Sequence, residues 1–302
     1  MKKILLTSLF AMLLSTLPIM AENNIGEKGI NLDGQCKAIA SSPDGSTYVL
    51  MEDRRLICID PNGQKKEITI PLIENTEEQD DDFNDMAVDT KAIYLCGYNY
   101  PSIFTIDLSN PTELISLSLS YENEPVIPMV ISRYEFGWTI KDSENRTFKV
   151  DNSGKMTLLP DSSEIILDKS GKAIINVLPY QEDEDIVYPG KLLFEDSTLK
   201  WAAPVPELPK VVMGIEYLGY DANQGREIYL VKNSSGDMDS ETNVYAVDAD
   251  NKIVAQKQIP VQSIDFIMRY CKLANDGTVI AVYGDPEDPE KKVVLKQFNL
   301  NS

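Results

Sequence analysis

The residues best able to do chemistry in this chain are acids that cluster in polar stretches. Four acidic stretches lie at residues 77–85, 182–185, 237–241 and 285–290, and a fifth stretch at residues 97–101 is aromatic. Carboxylates attract cations and basic protein groups, and tyrosine rings can stack on a ligand. The candidate binding residues are Asp81, Asp82, Asp85, Tyr98, Tyr100, Asp183, Asp185, Asp237, Asp239, Asp285 and Asp288.

Histidine is absent from all 302 residues. Its absence excludes histidine-based general acid–base catalysis, Ser-His and Cys-His nucleophile pairs, and nearly all zinc and copper sites. The chain also lacks a Gly-x-Ser-x-Gly elbow, a Walker A loop and a dinucleotide-binding fingerprint. Paired carboxylates could act as they do in glycoside hydrolysis, but with 48 acids a pair in one loop is expected by chance. No catalytic residue is therefore assigned.

Calcium is the one cofactor that the acidic stretches could hold. Residues 80–85 and 237–242 contain alternating acids, but neither has the Gly and the final Glu of an EF-hand loop. We therefore predict no cofactor, keep Ca²⁺ as the only candidate, and assign no metal ligand. The simpler interpretation of these stretches is solubility, because acidic loops are commonly just solvated.

The charge of the chain restricts its partners. The formal net charge is −20, and removal of Lys2 and Lys3 with a leader would make it −22. Such a surface repels nucleic-acid backbones and anionic membranes, and it favours cations or basic proteins. We expect a protein or glycan ligand, no nucleic-acid partner, and a monomer.

The N-terminus has the layout of a signal peptide at residues 1–21. Lys2 and Lys3 precede an apolar run at residues 4–17, which is shorter than the roughly 20 residues that span a bilayer. We predict cleavage after about residue 21, with an uncleaved anchor as the alternative. No cysteine lies nearby to make a lipobox, and no later segment is apolar for long enough to be an integral membrane segment. Residues 22–302 are then a single periplasmic or secreted domain.

A short apolar strand that runs into a polar turn recurs along the chain. The residues that close these strands are 44 to 53 residues apart, and they are Asp60, Asp107, Asp151, Glu195, Asp248 and Asn299. Such a period indicates a repeat architecture, and each repeat reads as four short strands. The sequence therefore predicts an all-β, six-bladed β-propeller with four-stranded antiparallel blades. A two-sheet sandwich or a pair of small β domains is the alternative.

The two ends of the chain are predicted to close the ring. The sixth repeat begins near Ile264 and offers only three strands before the chain stops, whereas an extra strand-like piece near Ile30 to Asp33 precedes the first repeat. That piece is placed to complete the last blade, which would leave no open sheet edge. The four cysteines fall in or beside apolar runs, which favours free thiols over a disulfide: Cys36, Cys58, Cys96 and Cys271.

The pattern resembles the bacterial six-bladed propellers, the broad group of NHL-type, TolB-like and gluconolactonase-type rings. The resemblance depends on Ser42-Pro43-Asp44-Gly45 after an apolar strand and on the repeated strand-Asp-turn. It implies that an exported member often binds partner proteins or sugars. Gluconolactonase-type members hold a divalent cation at the ring axis with acidic and Asn side chains. No residue of this chain matches that metal site individually.

Propeller topology predicts that the two kinds of connection separate onto two faces. Tight turns such as Asn152-Ser153-Gly154 fall on one face, where Asp, Asn and Gly are explained by turn chemistry alone, so we assign these turn acids no function. The long acidic loops fall on the other face. We expect an exported, non-enzymatic binding module that uses this acidic face to engage a protein, glycan or cation. The alternative is a metal-assisted hydrolase or lactonase with an ion near the propeller axis.

Overall fold

In the computed structural model, short strands account for most of the described residues. The structure describes residues 29–73, 83–159, 163–167, 173–177, 180–182, 185–187, 190–195, 198–203, 214–234, 240–250, 252–259, 271–285 and 288–301. The predicted signal peptide lies outside them. Within the described part of the chain, no helix has the length and hydrophobicity that crossing a membrane requires.

The strands form four-stranded antiparallel sheets that follow one another along the chain. The first three sheets are β2 (Cys36–Ser41), β3 (Thr47–Met51), β4 (Arg55–Ile59) and β5 (Lys65–Thr69); β6 (Phe83–Val88), β7 (Ala92–Gly97), β8 (Ser102–Asp107) and β9 (Ile115–Ser118); and β12 (Pro128–Tyr134), β13 (Gly137–Asp142), β14 (Thr147–Asp151) and β15 (Met156–Leu158). A small hairpin precedes the third sheet, made of β10 (Ser120–Tyr121) and β11 (Glu124–Pro125).

The remaining sheets use the second half of the chain and one strand from its beginning. The fourth and fifth sheets are β16 (Ser163–Leu167), β17 (Ala173–Val177), β20 (Gly190–Glu195) and β21 (Thr198–Ala203); and β22 (Gly214–Asp221), β23 (Arg226–Ser234), β24 (Ser240–Val247) and β25 (Ile253–Ile259). The last sheet is β26 (Cys271–Leu273), β27 (Val279–Asp285), β28 (Asp288–Phe298) and β1 (Ile30–Asp33). A second hairpin, β18 (Tyr180–Glu182) with β19 (Asp185–Val187), is inserted between β17 and β20.

The core lies between neighbouring sheets because each inner strand is apolar on both faces. In β3, Tyr48 and Leu50 pack toward the second sheet, whereas Val49 and Met51 pack toward the last sheet. Successive side chains of a strand point to opposite faces, so neighbouring residues of β3 pack into two different interfaces. The fourth strands differ, since most of their residues are exposed, as in β5 and β9. Burial therefore decreases from the inside of each sheet to its outer edge.

The first strands of the sheets contact one another in the order β16, β22, β26, β2, β6 and β12. Four-stranded sheets that pack face to face around a common row of inner strands are the blades of a β-propeller. The chain is a β-propeller. The residues predicted to close each third strand lie at or directly after the ends of β4, β8, β14, β20, β24 and β28, so this part of the repeat prediction is confirmed.

Strand β1 completes the last sheet, as predicted. It pairs antiparallel with β28 from Ile30 opposite Leu295 to Asp33 opposite Lys292. Leu32 is almost fully buried among residues of the first and last sheets. The two ends of the chain are therefore held in one sheet by both hydrogen bonds and packing.

Three details differ from the sequence predictions or add to them. The hairpins β10–β11 and β18–β19 were not predicted, because strands of two or three residues give almost no periodic signal. The inner strand of the last sheet begins at Cys271, and the residues predicted for it near Ile264 lie outside the described residues. All four cysteines are free thiols, as predicted; Cys96 and Cys271 are buried, and Cys36 and Cys58 are half-buried.

Candidate functional site at the hairpin end of the propeller

The meander of each sheet sends its connections to two opposite ends. We call the turn end the side with the turns at residues 42–46, 60–64, 89–91, 135–136, 151–155, 222–225, 248–250, 274–278 and 299–301. We call the hairpin end the opposite side, where second strands end and third strands begin; its described links include residues 52–54, 98–101 and 143–146.

Neighbouring blades are aligned so that like ends meet. The Asn275 side chain contacts the Ser42 carbonyl oxygen from the turn of the next blade, and the Asn223 Nδ2 donates to the Asn275 carbonyl oxygen at 3.0 Å. Asp85 and Asp89 in the second sheet face Ile131 and Arg133 in the third, in the same direction along the two strands. The inner strands are therefore parallel at these junctions.

Acids at the turn end serve the turns, as the sequence predicted. The Asp60 Oδ1 accepts hydrogen bonds from the backbone N–H groups of Asn62 and Gln64 at 2.9 and 2.8 Å. The Asp151 Oδ1 accepts from the Ser153 hydroxyl at 2.6 Å and from the Lys155 backbone at 3.0 Å. The Ser153 hydroxyl and these backbone donors lower the pKa of Asp151, because they favour the charged carboxylate.

The hairpin end is uneven, because the links of the first three sheets are short, whereas strand pairing extends toward the corresponding links of later sheets. Residues 52–54, 98–101 and 143–146 are tight links. In the fourth blade the β18–β19 hairpin extends the link, in the fifth β23 pairs with β24 as far as Ser234 opposite Ser240, and in the last β27 pairs with β28 as far as Asp285 opposite Asp288. We call the described strand ends at these three links the acidic hairpins: residues 180–182 with 185–187, 232–234 with 240–242, and 283–285 with 288–293.

The predicted acids fall mainly on the acidic hairpins. Asp185 begins β19, and its register partner is Glu182. Asp285 ends β27 opposite Asp288, which begins β28. Asp183, Asp237 and Asp239 are positioned in sequence at the same links but lie outside the described residues, as do Asp81 and Asp82. The structure thus brings Asp185, Asp285 and Asp288 to one end of the propeller, and the binding role of the whole set stays a prediction.

Asp85 has a different position from the other predicted acids. It is completely buried in β6, and its Oδ2 accepts a hydrogen bond from the Ile131 backbone N–H at 3.0 Å. A bulge next to it at Asn84 interrupts the register with β7, and the Asn84 Nδ2 contacts the Met129 Sδ in the next blade at 3.9 Å. The Asp85 carboxylate therefore joins the inner strands of two blades, a structural role that the sequence analysis missed.

Of the two predicted tyrosines, Tyr98 is the more exposed. Its side chain is 47 % exposed in the link after β7. Tyr100 is half-buried and packs edge-on against Phe104, with ring centroids 5.4 Å apart. The register of Phe83 opposite Gly97 places this link beside the start of β6. Tyr98 can therefore stack on a ligand at the hairpin end, whereas Tyr100 supports the core.

Arginines on the short links of the hairpin end are already bound within the protein. Arg54 donates to the carbonyl oxygens of Ile70, at 3.1 Å, and Pro71, at 2.5 Å. Arg146 pairs with Asp142 at 2.8 Å and with Glu144 at 3.2 Å. The arginines of these short links are therefore bound to carbonyl oxygens or to neighbouring acids of the same blades, whereas the acidic hairpins belong to other blades.

No metal cage is visible in the part of the chain that the structure describes. Within those residues, no three Cys, Asp or Glu side chains come together in a way that could hold a metal ion. Two of the inner-strand acids that could have faced the axis, Glu164 and Glu216, lie opposite Asn176 and Leu230 in their sheets. The calcium prediction therefore has no support from the described geometry and remains open.

Comparisons with known proteins agree on the fold. No protein-family model matches the chain, and a search of curated proteins found no relative. Among solved structures, a candidate gluconolactonase matches with a TM-score of 0.50 and 10% identity over 89% of this chain and 92% of its own. The PQQ-bound aldose sugar dehydrogenase of Streptomyces coelicolor matches with a TM-score of 0.49 and 9% identity over 90% and 100% of the two chains. The WD40 propeller domain of Doa1 gives a TM-score of 0.47 and 9% identity over 90% and 94%.

The match with the candidate gluconolactonase, at a TM-score of 0.50, supports the propeller fold alone. Identities of about one residue in ten are far too low to transfer an activity, because a propeller supports many unrelated functions. Function has to be argued from the surface of this chain.

Proposed function

We propose that this protein is an exported, non-enzymatic binding module whose acidic hairpins engage a basic segment of a partner protein. The observation that carries the proposal is the position of the three acidic hairpins on consecutive blades at one end of the ring. Charges of one sign gathered on one surface reinforce each other's field and speed the approach of an oppositely charged partner. A glycan that stacks on Tyr98 and a cation are the other ligands that this end could take.

The test compares equal charge changes at the two ends. The hairpin variant replaces Glu182, Asp185, Asp285 and Asp288 with Gln or Asn, and the control variant replaces Asp107, Asp151, Asp248 and Asp250 at the turn end with Asn. Binding of a fluorescent peptide of alternating lysine and glycine is measured by anisotropy at low and physiological salt. We expect the hairpin variant to bind at least about tenfold more weakly and the control to change by less than about twofold, because opposed charges act mainly within a Debye length.

Equal weakening in both variants would show that only net charge matters and would reject the hairpin end as the site. Binding of oligosaccharides that depends on Tyr98, with no peptide binding, would move the proposal to a glycan ligand. A rise in Tm of more than about 10 °C in millimolar calcium would favour the metal-assisted hydrolase or lactonase. About 1 kcal/mol shifts the Tm of a domain this size by only about 2–4 °C, so such a rise requires substantial ion binding.

We also propose that the ring has six blades. The described inner strands contact one another in one row from β16 through β22, β26, β2 and β6 to β12, and packing of β12 against β16 would close it. Cysteines placed on facing positions of β12 and β16 are expected to cross-link at high yield in the purified protein. No cross-link at any facing pair would reject this closure.

Export is the last part of the proposal. Mass spectrometry of the protein from the extracellular medium or periplasm is expected to show an N-terminus near residue 22, as a cleaved leader requires. An intact Met1 in the membrane fraction would support the uncleaved anchor instead.

A further inference from the structure

One side of the third blade is polar at positions where other blades are apolar. Trp138 and Ile140 of β13 belong to the buried cluster that the third blade shares with the second. Successive residues of a strand point to opposite faces, so Thr139 and Lys141 lie on the side turned away from the second blade. Their register partners in β14 are polar as well. We call this side the polar face; its central positions are Thr139, Lys141, Thr147 and Lys149.

The equivalent positions of other blades are apolar. We compare the residue four positions before the one that closes each third strand, which lies on the side toward the following blade. In the first, second, fifth and last blades this residue is apolar, fully buried and part of the cluster shared with the following blade: Leu56, Ile103, Val244 and Leu295. In the third blade it is Thr147. Among these five blades, only the third offers a polar side chain at this position.

The threonines of the polar face are covered, whereas its lysines reach toward water. Thr139 and Thr147 are each 8% exposed, and Lys141 is exposed next to the hairpin end. Lys149 is half-buried, and its Nζ lies 4.5 Å from the centre of the Phe136 ring. In the proposed six-bladed ring, the fourth blade lies against this side. The third blade therefore meets the fourth with groups that are costly to remove from water.

Junctions between blades are held mainly by apolar area that is removed from water. The first blade contributes Leu50, Leu56 and Ile68 to the cluster that it shares with the second. The polar face can contribute only the methyl groups of threonine and the methylene stems of lysine. The third–fourth junction is therefore held less strongly than the junctions whose apolar clusters the structure describes.

The place where the two chain ends meet is held more firmly. Noncovalent pairing of β1 with β28 closes the last blade, and two side chains of the first blade reach across to β1. The Arg55 Nη2 donates to the Asp33 carbonyl oxygen at 2.7 Å, and the Lys65 Nζ donates to the Asn31 carbonyl oxygen at 3.2 Å. Leu32 is 2% exposed in the cluster that joins these two blades. The weak junction is therefore in the middle of the chain and not at its ends.

We propose that the ring opens between the third and fourth blades. Opening separates the polar face from the fourth blade, while the apolar clusters at the other junctions stay packed. The acidic hairpins belong to the fourth, fifth and last blades, so they move as one group. Opening therefore changes the distance between the β18–β19 hairpin and Tyr98 of the second blade without dispersing the acidic hairpins. This inference depends on the proposed six-bladed ring and not on the ligand of the hairpin end.

The test compares thiols at different junctions of the same molecule. Cys96 is fully buried at the second–third junction and Cys271 at the fifth–last junction, so they are internal controls. Thr139→Cys adds a thiol on the polar face, and Thr147→Cys is a second variant for the case that the first does not fold. Alkylation by iodoacetamide is followed at each site by peptide mass spectrometry. We expect the introduced thiol to react at least about 30-fold faster than Cys96 and Cys271, because local opening requires less free energy than global unfolding.

Urea distinguishes opening from static exposure. A thiol that is exposed in the closed ring reacts at a rate that low urea leaves unchanged, whereas an opening that exposes new surface becomes more frequent. We expect the rate at the introduced thiol to rise with urea below the unfolding transition. Its slope should be smaller than the slopes for Cys96 and Cys271, because exposing those residues requires a larger unfolding.

A further variant makes the polar face apolar. Lys141→Leu with Thr147→Val, combined with Thr139→Cys, gives the third blade side chains like those of the other blades, and it should slow alkylation of the introduced thiol at least about tenfold. The control, Lys66→Leu with Thr69→Val, makes the same changes at exposed positions of β5. In the control the rate should stay within about twofold, because surface substitutions have small effects.

Three results would overturn this proposal and leave the six-bladed ring in place. They are alkylation on the polar face that is no faster than at Cys96, a fast rate that urea leaves unchanged, and no slowing in the Lys141/Thr147 variant. Failure of β12 and β16 to cross-link at any facing pair would reject the six-bladed ring and this joint together. Binding of the lysine–glycine peptide is measured separately, so its outcome decides the ligand of the hairpin end alone.

Discussion

Acids are placed differently at the turn end and on the acidic hairpins of this propeller. At the turn end, carboxylates such as Asp60 and Asp151 accept backbone hydrogen bonds within their own turns, and Asp89 and Asp221 pair with arginines between blades. At the hairpin end, Asp185, Asp285 and Asp288 lie on extended hairpins of consecutive blades. The same residue type thus stabilises turns and blade junctions at the turn end, whereas on the acidic hairpins it lies where paired strands end or begin.

The difference shows that position in the strand meander decides what an acid does. A turn of four or five residues forces the Asp side chain back onto its own backbone, because the donors are within reach. In a longer hairpin the backbone N–H and C=O groups hydrogen-bond to each other across the two strands, so acid side chains are not needed as acceptors for them. Substitutions of acids at the turn end should therefore cost stability, whereas substitutions of acids on the acidic hairpins should cost little stability.

The largest effect is expected from Arg226→Leu at the turn end. Arg226 and Asp221 are both nearly fully buried, with side chains 5% and 1% exposed. Removing the arginine leaves a buried carboxylate unpaired, which should lower the free energy of unfolding by about 3–5 kcal/mol in urea denaturation. The control is Arg55→Leu at the hairpin end, where the pair with Asp53 is exposed and should contribute about 1 kcal/mol or less. A similar loss in both variants would contradict the contrast between the ends.

Gly137→Ala should have the second largest effect. Gly137 has a φ of 138°, and an added Cβ would lie 2.1 Å from the Val150 carbonyl oxygen, so the backbone would have to move. We expect a loss of about 2–4 kcal/mol from strain and overpacking. Gly63→Ala is the control, because Gly63 also has a positive φ of 77° but starts no strand, and its cost should be about 1 kcal/mol. Equal costs would mean that conformation alone, and not close packing of the turn end, sets the requirement for glycine.

The sequence was sufficient to predict much of this fold. The strand-Asp-turn residues are all at the ends of third strands, because the Asx turn is local and its donors lie two to four residues away. The pairing of β1 with β28 could also be predicted, since a repeat that lacks one strand and an extra strand elsewhere complement each other.

The candidate site was less predictable because its contacts are between blades. Nothing near Asp85 in the sequence shows that Ile131 will donate to it, since that contact depends on how two inner strands align across 46 residues. The groove between the turns of the first and last blades was missed for the same reason: Asp44, Asp60 and Asp276, which line it, each look like ordinary turn residues until these blades meet. Only an estimate of which turns become neighbours in the ring could have grouped them.

A third prediction concerns pH. Burial raises the pKa of Asp89, but hydrogen bonds from Lys91, Tyr94, Ala92 and Arg133 lower it by more, so the pKa of Asp89 lies below its ordinary value. Its contribution to stability is then present above the unfolded pKa of about 3.9 and is lost as the pH falls through the folded pKa. At pH 7, Asp89→Asn should cost about 1–3 kcal/mol in urea denaturation, from lost charged hydrogen bonds.

The difference between the wild type and Asp89→Asn should shrink as the pH falls below about 4, because both proteins then carry a neutral group at this position. Asp53→Asn at the hairpin end is the comparison, since its partner Arg55 holds it only in an exposed pair. A difference for Asp89→Asn that stays constant from pH 7 to pH 3 would show that shape, and not charge, explains the loss.

The smallest effect on stability is expected at the acidic hairpins. Asp285→Asn with Asp288→Asn changes the two residues that face each other at the end of the β27–β28 pairing. Like charges on directly opposed positions repel, so their removal should leave the free energy of unfolding within about 0.5 kcal/mol of the wild type or raise it slightly. The same variant should bind the lysine–glycine peptide more weakly. A loss of more than about 2 kcal/mol would mean that these acids hold the hairpin together, and that the hairpin end follows the same rule as the turn end.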